Sequence, residues 1–97
     1  MKREDFIFTV GYQGNTAIVD KKAQRSFRGA TIDELLSQEQ FGAAFRAAIF
    51  DGNDTAIERI RLAYNDSIDA NYESAMQLKR LFGVDVVPED VSRIRAL

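Results

Sequence analysis

The sequence predicts an α+β domain. An N-terminal antiparallel β-hairpin or three-stranded meander (about 6–28) precedes a helical region of about four helices, one of them long (about 54–82). Three observations carry this reading. The run Phe6-Ile7-Phe8-Thr9-Val10-Gly11-Tyr12 is aromatic and β-branched and stops at a turn signal. Thr31-Ile32-Asp33-Glu34 has capping-box spacing ahead of Leu35 and Leu36. From Asp54 to Phe82 there is no glycine or proline, and apolar residues recur at helical spacing.

In the hairpin, Gln13-Gly14-Asn15-Thr16 forms the turn, with Gly14 and Asn15 suited to positive φ. Ala17-Ile18-Val19-Asp20 returns as the second strand. A two-residue Gly14-Asn15 loop places Val10 opposite Val19 and Tyr12 opposite Ala17. Phe6, Phe8, Val10, Tyr12, Ala17 and Val19 then share one face. Asp20-Lys21-Lys22-Ala23 reads as a second turn, and Gln24-Arg25-Ser26-Phe27-Arg28 as a third strand ended by Gly29. The third strand is favoured because a lone hairpin is marginal in water.

A short helix follows the Thr31 cap to about Ser37, and a second runs from about Glu39 to Phe50. Phe41, Ala44, Phe45 and Ala48 share one side of the second, whose other sides are also mostly apolar. It is the expected central, most buried helix. Gly52 suits a left-handed C-cap, and Asn53 or Asp54 suits the next N-cap. Beyond it, Ile57, Ile60, Tyr64, Ile68, Ala75, Leu78 and Phe82 form one stripe. An unbroken helix here would be roughly 40 Å long and would span or overhang a domain of this size. Asn65-Asp66-Ser67 is the plausible break. Gly83 closes the helix, Val84 to Val87 reads as extended, and Pro88 opens a terminal helix docked by Val91, Ile94 and Leu97.

The 97 residues are read as a single small domain, 1–97, with room for one modest core. There is no histidine and no cysteine. That removes the commonest proton-transfer group near neutral pH, and with it thiolate nucleophiles, disulfides and zinc knuckles. A net charge of −2 argues against bulk nucleic-acid binding. Neither a signal-peptide core nor an apolar run long enough to span a bilayer is present. The expectation is a soluble cytoplasmic protein without cofactor or metal.

Five features of the sequence are possible sites. Lys21, Lys22, Arg25 and Arg28, with Phe27 among them, form a basic run suited to an anion or nucleic acid. The simpler reading is an edge strand protected by charge. Arg46 is the one charge between Glu39 and Asp51; it either clamps an anion or marks the solvent line of a buried helix. Asp66, Asp69 and Glu73 offer carboxylates to a hard cation, but one helix face supplies too few oxygens, and a solvated face is the simpler reading. Asn71 lies in the apolar stripe and either fixes helix register or is exposed where the helix leaves the core. Leu62 and Met76 are apolar residues on the polar side of the same helix and hint at a partner.

Gly11-x-x-Gly14 is hairpin chemistry, and no spacing joins a nucleophile to a base. The leading functional expectation is therefore a non-enzymatic protein-interaction or structural module, homodimeric through the long helix or the sheet edge. Its candidate interface is Leu62, Asn71 and Met76. The alternative is a small-ligand or nucleic-acid binder using Lys21–Arg28 and Arg46. An enzyme is the least supported class.

Overall fold

In the computed structural model of the chain, which describes residues 1–84 and 91–97, the first element is helix α1 (Arg3–Ile7), not a strand. Glu4 and Asp5 sit in its first turn, where carboxylates suit the helix dipole. Phe6, Ile7 and Phe8 are buried in succession, which overrides the strand propensity of their side chains.

Strands β1 (Thr9–Gln13) and β2 (Thr16–Val19) pair antiparallel around Gly14-Asn15, and Tyr12 faces Ala17 as expected. Of the two loop residues only Gly14 takes positive φ, at 61°. Val10 does not face Val19. The register shifts between Thr9 and Gly11, so Thr9 faces Val19 and Val10 is the extra residue of a β-bulge. Val10 is exposed and Thr9 is buried. The Thr9 hydroxyl donates to the Asp5 carbonyl at 2.7 Å, which satisfies it inside the core.

Helix α2 (Lys21–Ser26) occupies the place expected for a turn and third strand. Asp20 caps it by accepting from the Ala23 amide at 3.0 Å. Lysine, alanine, glutamine and arginine all favour helix, while an aspartate opens turns and caps helices alike. The third strand is instead β3 (Arg93–Ala96), where a terminal helix was expected. It runs parallel to β2, from Thr16 opposite Arg93 to Val19 opposite Ala96. The sheet is mixed, in the order β1-β2-β3. Parallel pairing needs a long crossover, and the helices between β2 and β3 supply it. Val91 packs on the core, whereas Ile94 and Leu97 are exposed. The expected extended stretch from Asp85 and the helix start at Pro88 lie outside the described residues.

Helix α3 (Ile32–Ser37) has the expected capping box. The Thr31 hydroxyl accepts from the Glu34 amide at 3.1 Å, and the Glu34 carboxylate accepts from the Thr31 amide at 3.3 Å. Helix α4 (Phe41–Asp51) is the central helix. It buries Ala44, Phe45, Ala47 and Ala48 and packs on α1, α3 and the following helix, α5 (Asp54–Ile68). Gly52 ends α4 in the left-handed region at φ 63°, and the Asn53 side chain caps α5 by accepting from the Ala56 amide at 3.0 Å.

The stretch 54–82 is two helices rather than one rod. α5 stops at Asp69, at φ 52°, and α6 (Ala75–Leu81) starts from a Ser74–Gln77 capping box. The Asn65 amide group holds the connection. Its oxygen accepts from the Tyr72 N–H and its nitrogen donates to the Tyr72 carbonyl, both at 2.9 Å. Arg61 donates to the same carbonyl at 2.7 Å. Such side-chain bonds offer the backbone an alternative to helix. Along α5, Ile57 and Ile60 are buried, Tyr64 is half-buried and Ile68 is exposed, so the core ends before α5 does. α6 packs against α5 and buries Leu78.

An aromatic chain ties these helices together. Ring centroids are 5.2 Å apart for Phe41 and Tyr64, 5.3 Å for Tyr64 and Phe82, and 5.5 Å for Phe45 and Phe82. The radius of gyration of 12.8 Å leaves no overhanging rod. Among the described residues no helix is long and apolar enough to cross a membrane.

Candidate functional site

The residues singled out in the sequence do not converge. Lys21 is at the start of α2 and donates to the Asp5 carboxylate at 3.0 Å, where Gln24 also donates at 2.8 Å. Lys21 is therefore tied into the fold. Lys22, Arg25 and Arg28 are exposed, on α2 and in the turn that follows it.

Arg46 is elsewhere, on α4 and half-buried. It crosses Gly42, where a Cβ would stand 3.1 Å from its Nη1, and donates to the Phe82 carbonyl at the end of α6. A cation there satisfies a carbonyl that the helix leaves free. Burial pulls the Arg46 guanidinium down from its usual value, and the nearby Tyr12 phenol opposes this. Its role in the structure is to close α6, which neither sequence reading anticipated.

Asp5 is the buried charge of the chain's first half. Burial alone would push its carboxyl up. The hydrogen bonds from Gln24 and Lys21, with the charges of Lys21 and Lys2, outweigh that and hold it below the usual carboxylate range. A group whose folded value is lowered stabilises fully above its unfolded value, near 4, and that contribution fades as pH falls through the folded value. Thermal unfolding from pH 7 to pH 3 is therefore expected to show wild type above D5N near neutrality and the gap closing below about pH 4. A gap that stays constant across the range would refute this account of Asp5. Sequence reasoning missed Asp5 because its partners lie 16 and 19 residues away, beyond any local pattern.

Two clefts flank the start of α1. One, of about 390 Å³, lies among α1, α2, the turn after α2, and α3. Ile7, Phe8, Phe27 and Leu35 line it, together with Lys2, Glu4, Gln24 and Arg28. The Phe8 and Phe27 rings stack there, 6.4 Å apart and 12° from parallel. The other, of about 490 Å³, lies between the Thr31 cap and the start of α5, lined by Asp33, Thr55 and Arg59 among others. Arg3 separates the two and is pinned by two bonds of 2.8 Å to Asp51.

Leu62, Asn71 and Met76 are all exposed, on α5, in the connection and on α6 respectively. Asn71 is thus outside the core and fixes no buried register. Asp66, Asp69 and Glu73 are exposed, and among the described residues no group of three potential metal ligands comes together. The Thr9, Ser37 and Ser67 hydroxyls donate to backbone carbonyls, an arrangement that activates none of them as a nucleophile.

Comparison with known proteins finds no matching family model, no matching curated protein and no matching solved structure.

Proposed function

We propose that the chain is a non-enzymatic protein-interaction module that pairs with a second copy of itself through the exposed side of α5 and α6. The observation that carries this is a group of large apolar side chains left in water on two touching helices. Leu62 is 55% exposed, Ile68 50%, Met76 64% and Leu81 43%. Single surface hydrophobes need no explanation; what supports an interaction surface here is that both of two packed helices leave large apolar side chains exposed. The same helices carry both signs of charge, with Glu58, Arg59 and Asp66 on α5 and Lys79 and Arg80 on α6. A net charge of −2 adds little repulsion between copies. Surplus helix length adds no support, because the stretch 54–82 is broken at Asp69.

Sedimentation across micromolar concentrations tests the proposal. Wild type is expected to approach twice the chain mass, and the double variant L62D/M76D to stay at the chain mass with its helix content intact. Both positions are exposed, so the variant keeps the core. A wild-type chain that remains strictly monomeric over that range ends the proposal.

A further inference from the structure

We propose that the cleft among α1, α2 and α3 binds a small organic anion: a phosphate or comparable oxyanion attached to a flat apolar body. The cleft, about 390 Å³, falls within the roughly 300–1,000 Å³ range of small-molecule sites. Its lining has the two halves such a ligand needs. Ile7, Phe8 and Leu35 are core residues that reach the cleft, and the stacked Phe8 and Phe27 rings add aromatic surface.

Lys2 and Arg28 supply the charge. Both are exposed, and neither forms a salt bridge among the described residues, where the ion pairs are Arg3–Asp51, Lys21–Asp5, Arg59–Asp33 and Arg61–Glu58. Arg3 is neutralised by Asp51, which leaves Glu4 as the one acid of the lining against two cations outside any salt bridge among the described residues, although the charge of Lys2 also acts on Asp5. In a chain of net charge −2, this is a local positive excess beside an apolar floor. A guanidinium at the mouth suits an oxyanion, which it can grip through two parallel bonds.

A nucleic-acid strand fits less well. Two cations at a concave site are too few to follow a phosphate backbone. Lys21, which would have extended the row, is bound to Asp5. The site lies on elements other than α5 and α6, so it stands or falls separately from self-association.

The test is an amide chemical-shift titration of the full chain with 1-naphthyl phosphate, and in parallel with inorganic phosphate, 1-naphthol and a short oligothymidylate. Saturable shifts are expected at Ile7, Phe27, Arg28, Gly29, Ala30 and Leu35, with a dissociation constant of about 1 mM or tighter for an anion of this size. R28E is expected to weaken naphthyl phosphate about tenfold or more by removing a charge-assisted contact. It should leave the weak binding of 1-naphthol unchanged. R28Q provides the same comparison without charge reversal, and Arg28 is exposed, so neither variant touches the core. Absence of saturable shifts at these amides overturns the proposal. So does equal affinity for naphthyl phosphate and either half of it, unchanged affinity in both Arg28 variants, or tighter binding of the oligothymidylate at the same amides.

Discussion

Replacing Phe45 with alanine is expected to destabilise the chain by about 3–5 kcal/mol, among the largest effects of any single truncation. Phe45 has no exposed surface and lies on α4, the helix that α1, α3 and α5 all pack against. Its ring also meets Phe82 at 5.5 Å, so it anchors the end of α6 as well. The other buried residues of α4, Ala44, Ala47 and Ala48, carry too little side chain to fill the gap. The cavity therefore persists, and its cost adds to the lost transfer energy. A domain of this kind has a total stability of about 5–15 kcal/mol, so F45A brings it close to unfolding. Urea denaturation checks this: the midpoint should fall sharply with little change in slope. A loss under about 1 kcal/mol would show that α4 is not the centre of the core.

Leu78→Ala is expected to cost about 2–5 kcal/mol, and to act first on α6. Leu78 is the one buried residue of that helix, which has seven residues. A helix so short does not hold itself in water, and its stability comes from docking. Phe82 and the bond from Arg46 remain in the variant, but they fasten only the C-terminal end. Native-state hydrogen exchange should show amides from Leu78 to Phe82 losing more protection than those of Phe45 to Ile49 in α4. Equal losses in the two helices would mean that α6 opens only with the whole domain.

Both predictions depend on where the core stops, and that is also where sequence reasoning stopped working. The stripe from Ile57 to Phe82 is real, and most of its residues do pack inward. Period alone cannot tell one amphipathic helix from two that bury the same side. The deciding group is Asn65, whose side chain makes a two-bond contact with the Tyr72 backbone. Asparagine at that position was a visible warning, but its partner exists only once the chain has turned. Arg46 is similar. Its isolation among apolar residues was legible, while the Phe82 carbonyl it meets is 36 residues away.

The candidate site was legible to about the same extent. Arg28 and Phe27 stood out as a cation beside an aromatic ring. Lys2, some 25 residues earlier in the chain, joins them only because the start of α1 and the turn after α2 line the same cleft. Lys21 belongs to the same basic run, yet Asp5 removes it from the surface chemistry.

Signals that a few neighbouring residues can satisfy by themselves were determined by the sequence. The Thr31–Glu34 box, the Gly52 stop with its Asn53 start, the Gly14-Asn15 turn and the Gly83 stop all stand where their residue types require. So does the α+β class, because a turn between apolar runs and a helix cap followed by leucines are both local. Only the tertiary structure decided that Phe6 and Ile7 are buried in a helix with Phe8 at its C-cap, that Lys21 to Ser26 winds rather than extends, and that Arg93 to Ala96 becomes a strand. The open edge of β2 supplies hydrogen bonds that Arg93 to Ala96 cannot find along its own chain. Where local preferences are nearly balanced, such distant partners outweigh them.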